Sequence, residues 1–384
     1  MKEYLKTFSM YAIRVLLYPL KIFKTKKYIM FCSNSGDSFS CNPKYLYLYM
    51  REKPDFKDYT FIWTFKDIAK YASFLNSNTL VCKYRSFKYY YYKIVSKFYI
   101  SNSIEGNEVP KKKNQIRIQT WHGGGCYKKV GLAEKNKSRI FKKRTKECIK
   151  NTNLFLSSSE IFSNNVIKEN FGYSGKILNS GMPRNDILFD AEKLSKIRKK
   201  VLDKLNISND SYIVLYAPTW RYDETKLEEI DFEKIIKVLE EKYQKNVEVI
   251  YRAHLHMSNQ KISGLINGSS YDDMQELLIA SDMLISDYSS SIWDYSFTYK
   301  PCVLFCPDLQ YYIENRGFDE DIHMWGFPIS TTNEELLNVI KNFKKNDYII
   351  NMQKHHKHLV SYENGIACES VAKYIKDIIN KERI

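Results

Sequence analysis

The sequence predicts an α/β protein made of two doubly wound parallel domains, and three observations predict it. Short apolar runs of strand length alternate with longer segments whose apolar residues recur at helical spacing, from Lys27 to about Asp186 and again from Tyr212. A charged amphipathic stretch over residues 190–206 separates the two series and reads as a connector helix. At 384 residues, 44% hydrophobic and 15% aromatic, the chain is long for one domain and rich enough for two cores.

Residues 1–26 read as an amphipathic helix. Its apolar run, Phe8 to Phe23, carries Arg14, Pro19 and Lys21, so it is too short and too charged to span a bilayer. No small-residue cleavage site follows, and aromatic and aliphatic residues beside Lys and Arg suit a membrane interface. Packing on the domain is the alternative.

Residues 27–189 form the first domain, with strands expected at Tyr28–Cys32, Tyr59–Trp63, Thr79–Cys82, Phe98–Ile100, Gln115–Gln119, Asn153–Leu156 and Lys176–Leu178. Helices are expected over Asp67–Leu75, Phe87–Lys97, Ser138–Lys150 and Glu160–Asn170. The Tyr89–Tyr92 run, with lysines at 83, 88, 93 and 97, reads as a half-buried helix whose lysines snorkel to solvent, a nucleic-acid or membrane platform being the alternative. Residues 207–350 form the second domain, with strands Tyr212–Tyr216, Val247–Tyr251, Met283–Ser286 and Cys302–Cys306. Helices Phe232–Tyr243, Asp272–Ala280 and one from Ser291 lie between them, and residues 351–384 form a C-terminal helical segment.

The net charge of +16 and pI near 9.2 favour phosphates, anionic lipid or a polyanionic acceptor, although a bias towards Lys, Asn, Ile and Tyr contributes to it. No zinc-finger, helix-turn-helix or RNP-type signature is present, so nucleic acid is not an expected partner. Eight scattered cysteines without a CxxC read as reduced, buried thiols of a cytoplasmic protein. His355, His356 and His358 lack carboxylates or cysteines at ligand spacing and read as a surface cluster; no metal site is expected. Walker A, GxGxxG, HExxH and GxSxG motifs are absent.

Chemistry-bearing residues fall at the carboxyl ends of predicted strands, where α/β folds bind ligands. One strand runs into His122, followed by Gly123, Gly124 and Gly125, with Lys128 just beyond. The histidine suits a general base or a phosphate donor, and the glycines permit close backbone approach; a structural histidine beside a glycine turn is the alternative. A second strand ends at Thr219 and Arg221, a hydroxyl and a guanidinium suited to phosphate, or to an inter-domain ion pair. A third ends at Arg252 and His254, which share a face in extended chain and leave His256 the weaker candidate. The fourth stops at Asp287 and leads through Ser289, Ser290 and Ser291 into a helix, a start suited to phosphate or simply to capping. Arg184 reads as holding the domains together rather than touching ligand.

Taken in order, Trp121-His-Gly, Gly181-x-Pro-Arg-Asn-Asp186, Tyr216-Ala-Pro-Thr-Trp-Arg221, Arg252-x-His254, Ser286-Asp-Tyr-Ser-Ser290 with Asp294, Lys300-Pro, Arg316-Gly-Phe and Glu363-Asn-Gly365 resemble the CDP-glycerol glycerophosphotransferase family. The resemblance implies a GT-B architecture, two Rossmann-like domains facing across a cleft. It implies transfer of glycerol or ribitol phosphate from CDP-glycerol or CDP-ribitol to a lipid-linked polymer acceptor, releasing CMP, with no cofactor. It makes His122 and His254 the catalytic pair and turns the serines of Ser286–Ser290 towards the donor pyrophosphate; the strand-end reading adds Gly123, Gly124, Thr219, Arg221, Arg252 and Asp287 as candidate donor contacts. From the residues themselves, Lys128 is a candidate acceptor contact, and Arg184 is a candidate for that side or for the domain junction. The expected location is the inner face of the membrane, held by the first helix, and the chain is expected to hold only the catalytic unit. Gly124, Gly125 and Leu255 depart from the family's usual residues and leave donor and acceptor identity open. A sugar-nucleotide glycosyltransferase on the same architecture and a non-catalytic polyanion- or membrane-binding protein are the rival readings.

Overall fold

A computed structural model describes residues 2–75, 78–104, 108–219, 229–252 and 264–381. The chain divides into two compact units: Met1–His122 with Val130–Asp186 and Tyr362–Ile384, and Gly123–Lys129 with Ile187–Ser361.

The first unit holds a parallel sheet of β1 (Lys26–Cys32), β2 (Thr60–Phe65), β3 (Thr79–Lys83), β4 (Ser96–Ser101), β5 (Ile116–Gln119), β6 (Leu154–Ser157) and β7 (Lys176–Asn179). Their order is β3-β2-β1-β4-β5-β6-β7, so the winding reverses between β1 and β4. Alternate residues of β1 serve opposite cores. Ile29 and Phe31 pack among Leu46, Trp63 and Phe98, while Met30 and Cys32 pack among Tyr89, Ile94 and Val95. Burial on both faces is why the strands read as continuous apolar runs rather than alternating ones. Helices α1 (Lys2–Leu17), α2 (Cys41–Arg51), α3 (Phe87–Val95) and α4 (Arg139–Lys150) surround this sheet.

The second unit repeats the plan with β8 (Tyr212–Tyr216), β9 (Val247–Tyr251), β10 (Ile266–Asn267), β11 (Met283–Ser286), β12 (Cys302–Phe305) and β13 (Ile329–Ser330), ordered β10-β9-β8-β11-β12-β13 and all parallel. Its winding reverses between β8 and β11. Helices α5 (Ala191–Leu205), α6 (Phe232–Tyr243), α7 (Met274–Ala280), α8 (Ser291–Ser296), α9 (Leu309–Asn315), α10 (Asn333–Lys341) and α11 (Lys345–Leu359) belong to it. The segment expected as a connector, α5, is thus part of the second unit, where Arg198 binds Asp282 through two bonds of 3.1 and 3.0 Å.

The last helix, α12 (Ala367–Lys381), returns to the first unit and buries Val371, Ala372, Ile375 and Ile379 in its core. Two carboxylates clip it in place. Asp186 accepts the backbone N–H groups of Ala367 and Cys368 at 2.9 and 2.7 Å, and Glu363 accepts from the Met182 N–H and the Asn185 amide, each at 3.0 Å. Gly181 is left-handed (φ +77°), and a Cβ there would sit 2.8 Å from a Glu363 oxygen. The Gly181–Asp186 and Glu363–Cys368 motifs therefore act on each other. Asp186→Ala strands two helix N–H groups, and a loss of about 1–3 kcal/mol is expected in urea unfolding.

Two sequence expectations are corrected. Residues 67–75 hold only a short 3-10 turn at Ala72–Phe74, because Tyr71 is buried and ties its hydroxyl to the Asp37 carbonyl at 2.8 Å. The helix expected over Glu160–Asn170 is present, with Phe162–Asn170 wound as a π-helix. Lys93 does not snorkel: it is buried, bonds the Tyr89 hydroxyl at 2.8 Å and lies 4.1 Å from the centre of the Tyr99 ring.

Candidate active site

In the first unit the site is built on strand ends next to the winding reversal. β5 ends at Gln119, whose side-chain oxygen accepts the Trp121 N–H at 2.8 Å, while Asn42 donates to the Trp121 carbonyl at 3.0 Å. These bonds hold Trp121 in the left-handed region (φ +52°), which costs a bulky residue on the order of 1–3 kcal/mol. The turn exposes His122, whose ring lies 4.1 Å from the Trp121 ring at a tilt of 32°, and Trp121 in turn packs edge-on against Phe171. His122 Nδ1 lies 2.8 Å from the Asn102 carbonyl oxygen. A carbonyl can only accept, so Nδ1 carries the proton and Nε2 the basic lone pair of the neutral ring. This tautomer suits proton acceptance at Nε2.

In the second unit the corresponding strand ends are those of β8 and β11. The Ser286 hydroxyl donates to the Ala217 carbonyl at 2.7 Å, and the Asp287 carboxylate accepts the Thr219 N–H at 2.9 and 3.0 Å and its hydroxyl at 2.6 Å. Asp287 thereby anchors Thr219 just beyond the end of β8. Ser289 Oγ accepts the Ser291 N–H at 3.3 Å and its hydroxyl at 2.9 Å. Ser290 precedes α8 with helical backbone and makes no side-chain cap. Arg252 turns its guanidinium onto backbone: it bonds the Tyr271 carbonyl and reaches the Gly268 carbonyl at 3.3 Å and that of Asp272 at 3.5 Å. Burial pulls its pKa below the ordinary value, with Asp273 and Asp272 opposing. Arg221 and His254 lie outside the described residues.

The glycine segment belongs to the second unit and is explained by packing. A Cβ on Gly124 would sit 2.1 Å from Cδ1 of the buried Trp293, and one on left-handed Gly125 (φ +63°) would sit 2.6 Å from the Tyr127 ring. Gly123 is buried beside them. Gly124→Ala must displace the indole, so a loss of about 1–3 kcal/mol in thermal or urea unfolding is expected. Lys128 bridges antiparallel to Phe318, flanked by Lys129 N–H to Gly317 O at 3.2 Å and Asp319 N–H to Tyr127 O at 2.8 Å. The Arg316-Gly-Phe motif thus pairs with the glycine segment. Arg184 is buried within the first unit; its backbone N–H meets the Asn42 side chain at 3.1 Å and its guanidinium the Cys41 sulfur at 3.8 Å.

The histidines of α11 correct another expectation. His355 is buried and pairs with the Tyr127 hydroxyl at 3.0 Å, and His356 pairs with the Ser296 hydroxyl and stacks 4.2 Å from Phe297. Only His358, at 3.0 Å from Glu320, keeps an exposed place. Their apolar partners are distant in sequence, so the polar character of the local stretch pointed to the surface. Among the described residues no group of three or more His, Cys, Asp or Glu is placed to hold a metal ion.

A family profile described as CDP-glycerol:poly(glycerophosphate) glycerophosphotransferase matches residues 15–377. A teichoic acid poly(glycerol phosphate) polymerase of Bacillus spizizenii is 29% identical over 85% of this chain and 86% of its own length. A polymerase of the same description from Staphylococcus epidermidis is 30% identical over 93% of this chain but only 51% of its own length. A Staphylococcus aureus ribitol-phosphate polymerase is 27% identical over 91% of this chain and 68% of its own. The solved wall teichoic acid polymerase TagF superposes with a TM-score of 0.82 at 27% identity, over 99% of both chains. A putative UDP-N-acetylglucosamine 2-epimerase from Listeria monocytogenes, at 12% identity and a TM-score of 0.58, shares the fold alone, and both likenesses agree with the GT-B class. With two parallel α/β units and a profile match over nearly its whole length, the chain belongs to the CDP-glycerol:poly(glycerophosphate) glycerophosphotransferase family and is an alditol-phosphate transferase that draws on a CDP-alditol.

Proposed function

We propose that the chain transfers glycerol or ribitol phosphate to a terminal hydroxyl of a lipid-linked teichoic-acid chain, with His122 as the general base. The observation that carries this reading is the exposed His122 imidazole beyond the carboxyl end of β5, its Nδ1 bound to a carbonyl and its basic nitrogen therefore Nε2. The acceptor O–H gives its proton to Nε2 as its oxygen bonds the β-phosphorus of the donor. The bond from that phosphorus to the bridging oxygen breaks, and CMP leaves with the electron pair. In this reading His254, Arg221 and the turn bearing Ser289, Ser290 and Ser291 stabilise charge on the pyrophosphate, and the step runs without a metal. Incubation with CDP-glycerol, CDP-ribitol and UDP-sugars tests it. CMP from a CDP-alditol, retained after dialysis against EDTA, is expected; UDP from a sugar donor overturns it.

The first helix is proposed to hold the enzyme at the inner membrane surface, where a lipid-linked acceptor ends. It docks through Met10 and Leu17 and through Tyr11 and Arg14 to Glu147 of α4, while Tyr4, Phe8 and Leu16 stay 71, 73 and 76% exposed, as does Ile22 at 85% in the 3-10 turn that follows. Lys24, Lys26 and Lys27 follow. An apolar face beside a cationic cluster suits an anionic lipid surface. No helix among the described residues is long and apolar enough to cross a membrane. In vesicle co-sedimentation with anionic lipid, Phe8→Ser with Leu16→Ser is expected to weaken binding by about tenfold or more, since each large side chain is worth roughly 1.5–3 kcal/mol when buried. Unchanged binding removes the helix from this role.

A further inference from the structure

The polar residues behind His122 have no part in the chemistry described so far. β1 and β4 are neighbours at the winding reversal of the first sheet, and the chain leaves their carboxyl ends through Ser33-Asn34-Ser35-Gly36 and through Asn102. Asn102 is fully buried, and its side-chain amide clasps residue 34 twice: Oδ1 accepts the Asn34 N–H at 2.8 Å, and Nδ2 donates to Asn34 Oδ1 at 2.9 Å. Nδ2 also reaches the Ser33 hydroxyl at 3.4 Å. Asn34 donates in turn to the Ser38 hydroxyl at 2.9 Å. Three successive residues, Asn34, Ser35 and Gly36, are left-handed at φ +47°, +56° and +83°. Such a turn persists only where its surroundings fix it, and the Asn102 amide is one of the groups that fix it.

The backbone carbonyl of this same Asn102 receives the His122 Nδ1–H at 2.8 Å. The imidazole is therefore oriented by a peptide group whose own place is set by the Asn34–Asn102 pair. An amide at position 102 is required for this, because it must accept from an N–H and donate to an oxygen at once. Aspartate satisfies only the first, and alanine neither.

We propose that Asn102 and Asn34 are positioning residues for His122, clasping the ends of β1 and β4 so that the Asn102 carbonyl fixes the imidazole with Nδ1 protonated and Nε2 basic. This rests on the reading of His122 as the base. Displacing a general base by about 1 Å can cost on the order of a hundredfold in rate. Asn102→Ala is accordingly expected to lower kcat for CMP release by about ten- to a hundredfold while KM for the CDP-alditol stays within about twofold.

A double-mutant cycle with His122→Ala separates this from a merely structural role. If Asn102 acts through the imidazole, Asn102→Ala has no further effect on the residual turnover of His122→Ala; an equal loss in both backgrounds overturns the proposal. Near-normal turnover by His122→Ala alone removes the base assignment itself, a different failure. Should Asn102→Ala not fold, Asn34→Ala enters the same cycle. The 15N shifts of His122 give a readout independent of turnover. The Nδ1–H tautomer is expected to predominate in the wild type and to lose ground in either asparagine variant; an unchanged tautomer ratio overturns the proposal.

Discussion

His122→Ala is expected to lower CMP release from the CDP-alditol by about 10²- to 10⁴-fold, the range that a positioned general base supplies. The stability of the variant should stay within about 0.5 kcal/mol of the wild type, because the side chain is exposed and buries little apolar surface. An interaction made chiefly in the transition state shows as a loss in kcat with KM little changed. Steady-state kinetics beside a urea melt therefore check the assignment, and near-normal kcat removes His122 from the mechanism. Trp121 offers a contrast. Its left-handed backbone and its contact with Phe171 tie it to the framework, so substitution there is expected to disturb both folding and turnover.

Acidification from pH 7 to pH 5 is expected to cost roughly 2 kcal/mol of stability for each of His355 and His356. Burial pulls the His355 pKa down to about 3, with His356 and His358 adding to the effect, and burial pulls His356 down to about 4. The unfolded chain, near 6.5, takes up these protons first. Stability is thus complete above about pH 6.5 and is lost as the pH falls towards the folded values. Around the two rings stand Tyr127, Trp293, Ser296, Phe297 and Phe327, none of which can neutralise an added positive charge. Urea unfolding at pH 7 and pH 5 measures the loss. His356→Gln should flatten the dependence by about half, and an unchanged slope would show that these histidines are not its source.

The consequence of that cluster is local as well as global. Tyr127 follows the glycine segment, and its hydroxyl meets His355 while its ring lies 4.5 Å from Trp325. Gly124 lies against Trp293, the residue that joins α8 to the histidines of α11. Protonation of His355 or His356 is therefore expected to weaken the packing on which the glycine segment rests.

Several elements were legible from the order of residues because their cause is local. Parallel strands covered on both faces must be apolar throughout, and β1, β2, β4, β8, β11 and β12 all stand where such runs occur. The strand-to-turn-to-helix pattern at Met283–Ser296 is likewise written in spacing, and Asp273 caps α7 as its place before the helix suggests. His122 was legible as a candidate because a histidine at a strand end before three glycines is uncommon for packing alone. Asn34, Asn42, Asn102 and Gln119 were not, since an isolated amide near a strand end has no signature until its partner is known. The partners are far away: Asn34 and Asn102 are 68 residues apart, Asn42 and Trp121 are 79.

The sequence by itself determined the family, most of the helices and every strand but the two-residue β10 and β13, and it supplied the candidate site residues, because periodicity and side-chain chemistry are properties of short stretches. Only the tertiary structure decided what those residues touch. It turned Arg252 onto backbone carbonyls, set Asp287 against Thr219, buried His355 and half-buried His356, and explained Gly124 by an indole 169 residues away in the chain. The physical reason is that burial and hydrogen-bond partnership are set by sheet order, and sheet order brings together strand ends that lie far apart along the chain.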